Sequence, residues 1–371
     1  MASRGRALSL VALCLLLELA LQGAAEHLVP AVFVFGDSMV DVGNNNFIEK
    51  CDIGCQANYP PFGIDYLNHK PTGRFSNGYN MADQLAQLLQ FDESPPPFLS
   101  LSNESLSTRM STGINFASGG SGLLDVTGNG PVCTQVFSMT EQVRSFRSLA
   151  RMWGRADLIS KSLIFINTGS NDLFEYTDCK GHRCKHNDTE FLQSLVASYA
   201  IFLKDLYGAG AKKFSVVSPS LVGCCPSQRA LAHNPKNHRD VDNHGCLASA
   251  NDISRQLYPM IASMLHDLSL ELPGMNYSLV DSIKMAEWVF NNTATPSYNF
   301  TVLDRACCGS GVFGADGCNS SAPLCQNRSN YLFWDDYHPS DAASGIAAKL
   351  IFGDTTGLFV HPINVQQLVE L

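Results

Sequence analysis

An α/β protein built on a central parallel sheet is what this sequence predicts, and two observations carry the prediction. Five short apolar segments recur along the chain, each a continuous run more than a strict alternation, as strands buried on both faces require. Stretches of helical length separate them, so strand and helix alternate, which implies βαβ units with right-handed crossovers.

The strands are expected at "AVFVFG" near residue 31, "TGINFAS" near 112, "LIFINTG" near 163, "KFSVVSP" near 213 and "MNYSLVD" near 275. Helices are expected over about 78–90, 138–153, 189–208 and 247–271, with a last one near 339–352 after the fifth strand. No repeat or low-complexity tract divides the chain. The stretch "ESPPPFLSLSNES" at 93–105 and the cysteine- and sequon-rich segment 291–330 read as surface insertions in one domain spanning 26–371. In open parallel sheets ligands bind beyond the carboxyl ends of the strands, so the residues just past each strand are where chemistry is sought.

Composition narrows the classes. Of 371 residues, 45% are hydrophobic and 16% charged, enough for a sizeable core, and the formal charge of −9 disfavours nucleic acid or an anionic membrane surface as partner. The amino terminus places Arg4 and Arg6 before the apolar run "ALSLVALCLLL" and the small-residue region "QGAAEH", the order of a secretory signal cleaved after about Ala25. An uncleaved anchor is the competing reading, but the run is short for a bilayer and Glu18 interrupts its extension.

Of the 13 cysteines, Cys14 falls in the leader, and the even remainder suggests disulfides in an oxidising compartment. Cys51 and Cys55, Cys179 and Cys184, Cys224, Cys225 and Cys246, and Cys307, Cys308, Cys318 and Cys325 cluster locally, while Cys133 stands apart. Their pairing is not legible from sequence. Glycosylation sequons occur at Asn103, Asn187, Asn276, Asn291, Asn299, Asn319 and Asn327. Leader, cysteines and sequons all point to the secretory route. The ending "VQQLVEL" lacks a retention signal and favours a secreted, extracellular protein; a retained leader would instead tether it to the endoplasmic reticulum.

Past the first strand stands Gly36-Asp37-Ser38, past the second "GGSG" at 119–122, and past the third "GSND" at 169–172, while "FWDDYHPS" at 333–340 leads into the last helix. All four converge on one crevice. A serine hydroxyl needs a base within hydrogen-bond reach, usually an imidazole oriented by a carboxylate. Ser38 is the candidate nucleophile, His338 the base and Asp335 the orienting acid, with Pro339 at the first helical position fixing His338 at a helix start. A developing oxyanion needs preorganised donors, and the N–H of Ser38, the N–H of a glycine in the second loop and the side-chain amide of Asn171 can supply them.

These blocks resemble the GDSL, or SGNH, hydrolase family, and specifically its plant secreted branch. "FGDSMVDVGNN", "NFASGGSGL", "TGSND" and "WDDYHPS" occur in the family's order across nearly the whole mature chain, and "GRFSNGYNMADQLA" at 73–86 and "CCGSG" at 307–311 also match that branch. The resemblance implies a three-layer α/β/α, flavodoxin-like fold with a five-stranded parallel sheet. It also implies a serine esterase or lipase that needs no cofactor and no metal and acts on lipid esters, acetylated polysaccharides or other acyl esters. Met39 stands where the family has leucine, a volume-conserving swap. Either Gly119 or Gly120 can be the oxyanion donor, and counting from Asn115 favours Gly120; Asp335, not Asp336, has the family's spacing to His338.

Bland readings compete at each position. Gly36-Asp37-Ser38 in isolation is good turn chemistry, and Asn171 or Asp172 can cap the helix that begins there. "GSGVFG" at 309–314 matches a dinucleotide fingerprint but follows no strand, and "CKGHRCKH" at 179–186 fits a Cys179–Cys184 disulfide better than zinc in an oxidising compartment. No G-x-S-x-G elbow surrounds Ser38, against the α/β-hydrolase fold. Acyl transfer through the same residues, polysaccharide deacetylation, and a non-enzymatic wall or signalling protein on the same fold remain the alternative functions. No stable membrane insertion is expected once the leader is removed.

Overall fold

Every residue of Val32–Gly36 (β1) is buried, because this strand lies inside a sheet covered on both faces. The computed structural model describes residues 27–129, 133–177, 187–235, 240–291 and 300–371; the expected leader, the Cys179 and Cys184 pair and the sequon at Asn299 lie outside the described residues. Gly113–Asn115 (β2), Leu163–Asn167 (β3), Lys213–Val217 (β4) and Asn276–Val280 (β5) join β1 in parallel at the five positions expected. Val302–Ala306 (β6) and Tyr331–Phe333 (β7) form a separate two-stranded ribbon. A sixth strand, Val360–Pro362 (β8), closes the large sheet antiparallel to β5, giving the order β2-β1-β3-β4-β5-β8.

The sheet therefore exceeds the expected five parallel strands by one antiparallel edge. Its three residues are too few to show a period, and Pro362 is tolerated there because an edge strand has a free side.

Among the described residues the helices are Met81–Leu88 (α1), Asn103–Arg109 (α2), Met139–Trp153 (α3), Ala156–Lys161 (α4), Ser170–Thr177 (α5), Asp188–Gly208 (α6), Pro226–Ala232 (α7), Ala248–Glu271 (α8), Ser282–Asn291 (α9), Asp341–Gly353 (α10) and Val365–Glu370 (α11). The long ones match the expected spans to within a few residues. Their ends are chemically marked. Asn80 and Asp83 close a reciprocal capping box on α1, Ser138 and Glu141 do the same on α3, and Gly154 ends α3 in the left-handed conformation that glycine adopts without strain.

Side-chain alternation along β1 builds two cores. Phe33 and Phe35 point into one, with Ile164, Phe214 and side chains of α3, α6 and α8; Val32 and Val34 point into the other, with Phe165 and side chains of α1, α10 and α11. Helix, sheet and helix thus form three layers. Each fully buried aromatic contributes about 2–3 kcal/mol by removing its surface from water.

Four disulfides join described residues: Cys55–Cys133, Cys224–Cys246, Cys307–Cys325 and Cys308–Cys318. The isolated Cys133 therefore finds Cys55 across 78 residues, and Cys51 and Cys225 stay free and buried. Asn103, Asn187, Asn291, Asn319 and Asn327 are exposed, whereas Asn276 is half-buried in β5.

Candidate active site

Parallel register brings the strand ends into line: Gly36 pairs with Asn167, and Val34 with Asn115. The chain segments that leave β1, β2 and β3 therefore emerge along one edge, as expected. Gly36 makes the exit possible. Its φ of +138° and a position where a Cβ would meet the Asn167 carbonyl oxygen at 1.8 Å admit no side chain.

Ser38 follows on the turn, with Oγ 2.8 Å from His338 Nε2. His338 Nδ1 lies 2.8 Å from both carboxylate oxygens of Asp335, whose Oδ1 also accepts the backbone N–H groups of Tyr337 and His338. Three residues separated by up to 300 positions form one hydrogen-bonded line. Burial by itself pushes the imidazole pKa down, but the charge and hydrogen bond of Asp335, aided by Asp336 and Asp37, outweigh it and leave His338 above its ordinary value. Asp336 takes no part in the line, and burial with the charge of Asp335 pushes its carboxyl up to about 7.

One expectation about His338 is corrected. Helix α10 begins at Asp341 with Ser340 as its cap, so Pro339 is not the first helical residue and His338 sits before the helix. The physical reason is capping: Ser340 Oγ accepts the N–H of Ala343, an acceptor that proline at the first position cannot provide. The imidazole is held instead by its Asp335 bonds, by the Trp334 N–H donated to its own carbonyl, and by Phe75, whose ring centroid lies 4.9 Å away.

The loop after β2 is fixed from below. Asp41 Oδ2 accepts the N–H of Gly119 at 2.9 Å, while its Oδ1 accepts those of Gly43 and Asn44. Asn45 holds the Gly119 carbonyl, and Asn44 holds the carbonyls of Asn115 and Ala117. Gly119 is thereby engaged on both sides, whereas no hydrogen bond among the described residues occupies the N–H of Gly120 or of Ser38. Gly120, at φ +88°, lines the cavity beside Ser38 and Asn171. Asn171 spends one amide hydrogen on the Ser121 carbonyl at 2.9 Å, which orients the other.

Asp172, a possible helix cap from sequence, turns away from that duty. Its carboxylate accepts the N–H groups of Leu123 and Leu124 and the Thr127 hydroxyl, bracing the loop that follows Gly120, and burial raises it to about 6. Gln142 on α3 braces β1 in the same way, accepting the N–H of Gly36 and donating to its carbonyl. Sequence reasoning misses Asp41, Phe75 and Gln142. The run "DVGNNN" after Ser38 was a signal for the first, since acids and amides beside a glycine turn serve to hold backbone.

A cavity of about 500 Å³ opens onto Ser38 and His338. Its wall is mainly apolar, with Leu221, Val289, Phe290, Phe300 and Leu350 among the lining residues. Such a site has a nucleophile, a base, backbone donors and room for a hydrocarbon chain, the parts that acyl transfer from an ester requires. The one cluster of metal-ligating residue types among the described residues combines Asp242 with Cys224 and Cys246, which are joined in a disulfide.

Comparison with known proteins identifies the family. A family model described as GDSL-like lipase/acylhydrolase matches residues 32–351. One Arabidopsis thaliana protein named as a GDSL esterase/lipase is 34% identical over 353 residues, covering 92% of this chain and 90% of its own. A second from the same plant is 34% identical over 355 residues, with 92% and 90% covered, and a third is 35% identical over 358 residues, with 93% and 87% covered.

Proposed function

The chain belongs to the GDSL-like lipase/acylhydrolase family and is a carboxylic ester hydrolase, and from that premise we propose that Ser38, His338 and Asp335 are its catalytic residues. The observation that carries the proposal is the continuous line from Ser38 Oγ through the imidazole to Asp335, each step 2.8 Å. His338 takes the Ser38 proton as Oγ attacks the ester carbonyl, and Asp335 stabilises the imidazolium that forms. The tetrahedral oxyanion sits against the N–H of Ser38, the N–H of Gly120 and the amide of Asn171. His338 then protonates the leaving alcohol, and water attacking under the same base releases the acid.

The choice of Gly120 over Gly119 is supported by Asp41, which already occupies the Gly119 N–H. Lipid or other hydrophobic acyl esters suit the apolar cavity wall. Residues 26–371 form the catalytic domain in this reading, preceded by a cleaved leader over 1–25. Export is supported by the four disulfides and by the exposed sequons, which are the proposed glycosylation sites. Among the described residues no helix is long and apolar enough to cross a membrane.

Ser38→Ala tests the assignment. The variant is expected to fold and to lose turnover of a nitrophenyl ester together with labelling by a fluorophosphonate. Retained turnover in the folded variant would overturn it.

A further inference from the structure

Two buried glutamines of this fold have opposite surroundings. Gln142 is fully bonded: its Oε1 accepts the N–H of Gly36, and its Nε2 donates to the carbonyls of Gly36 and Phe137 and lies 3.2 Å from Ser121 Oγ. Gln228 on α7 is 3% exposed, yet its Oε1 has no partner, and no hydrogen bond joins its amide to another described residue. A buried amide without partners is costly and calls for an explanation.

The explanation is indicated by position. Gln228 lines the same cavity as Ser38 and His338. It lies three residues beyond Cys225, another lining residue, whose thiol contacts the carbonyl of Tyr337 at 3.5 Å, next to His338 in the chain. Two serine hydroxyls of the wall are spent on backbone: Ser218 donates to the Val280 carbonyl and Ser220 to that of Ser282. Gln228 thus brings an amide with no partner among the described residues to a mainly apolar wall.

We propose that Gln228 forms a polar subsite in the acyl-ester cavity and selects substrates whose hydrocarbon chain carries a hydroxyl group. A hydroxyl that reaches this amide can accept from Nε2 or, once the amide turns, donate to Oε1, a pairing that a plain alkyl chain cannot offer. Because discrimination comes from stranding a buried polar group, it acts against the unsubstituted chain. The inference rests on the ester-hydrolase reading for the chain's placement beside Ser38, but its test does not require turnover.

In the Ser38→Ala protein, binding of dodecanoic acid is compared by calorimetry with binding of its monohydroxy forms, hydroxylated at different positions along the chain. At least one hydroxylated form is expected to bind about tenfold more tightly than the plain chain, and Gln228→Met, an unbranched apolar replacement of similar volume, is expected to erase that difference. Gln228→Leu serves as a second removal of the amide. In the active enzyme, paired esters with the hydroxyl in the acyl or in the alcohol half show which half reaches Gln228, through a lowered KM for one pair. The proposal is overturned if every hydroxylated form binds no better than the plain chain and neither ester pair shows a lowered KM, or if the preference survives both substitutions. Failure of ester turnover alone would count against the ester-hydrolase reading and leave the binding result to decide this one.

Discussion

Asp41 Oδ2 accepts the backbone N–H of Gly119 at 2.9 Å, a bond that spans 78 residues and binds the turn after the nucleophile to the loop that carries Gly120. Asp41→Asn is a selective break, because an amide oxygen can keep the Gly43 and Asn44 bonds made by Oδ1 while an NH₂ group replaces the acceptor for Gly119. A tenfold to hundredfold fall in kcat, roughly 1.4–2.7 kcal/mol of transition-state stabilisation, is expected with little change in KM. Steady-state hydrolysis of a nitrophenyl ester measures it, and an unchanged kcat would separate Asp41 from loop placement.

Asn171→Ala removes one proposed oxyanion donor and the bond to the Ser121 carbonyl. A loss of about 10²–10³ in kcat is expected, the cost typical of one such donor, with KM nearly constant because the ground-state carbonyl uses the donor less than the oxyanion does. A mainly KM effect would indicate that Asn171 binds substrate without serving the transition state.

Hydrolysis should switch on as pH rises, because His338, the proposed base, can accept a proton only when neutral. Its pKa is held above 6.5, so the acid limb of kcat/KM is expected to have its midpoint above that value. Asp335→Asn removes the charge responsible and is expected to lower kcat by about 10⁴. In the residual activity the midpoint should move to lower pH. A pH–rate profile of both proteins checks the shift, and a midpoint that stays put would separate Asp335 from the titration of His338.

Asp37 offers a stability measurement independent of turnover. Burial pushes its carboxyl from 3.8 up to about 7, and its Oδ2 has no partner. A folded pKa raised in this way means that the folded state binds the proton more tightly. The stability contributed is complete below pH 3.8, declines as pH rises, and is gone above about 7. Asp37→Asn keeps an acceptor for the Met39 N–H and carries no charge. It is expected to be more stable than the parent by roughly 4 kcal/mol at pH 8, with the gap vanishing near pH 4. Thermal unfolding at both values tests the sign.

The parts of this enzyme that sequence discloses are those set by local pattern. Ser38 follows a continuously apolar strand, Asp335 and His338 lie three residues apart, and a buried strand announces a crevice at its carboxyl end, so the groups proposed to react can be assembled on paper. Gln142 could not be assigned in that way, because its role consists of two bonds to Gly36, 106 residues distant. The partner of Cys133 and the unpaired amide of Gln228 depend likewise on packing between segments far apart in the chain. Strands β7 and β8 are only three residues long, and β6 pairs irregularly, so none presents a readable period. Pro339 suits the first position of a helix and so suggests His338 as its start, but the Ser340 hydroxyl one residue later caps the helix.

The Cys55–Cys133 bridge lies against the wall that carries Gly120: a Cβ added at that glycine would stand 3.4 Å from the Cys133 sulfur. Oxidation is therefore expected to hold the loop that carries Gly120 as well as to strengthen the fold. A reduced chain lacks this tether, and its ester hydrolysis is expected to stay withheld until the bridge forms. Assaying the reduced protein before and after oxidative refolding measures that safeguard, and equal activity in the two forms would remove it.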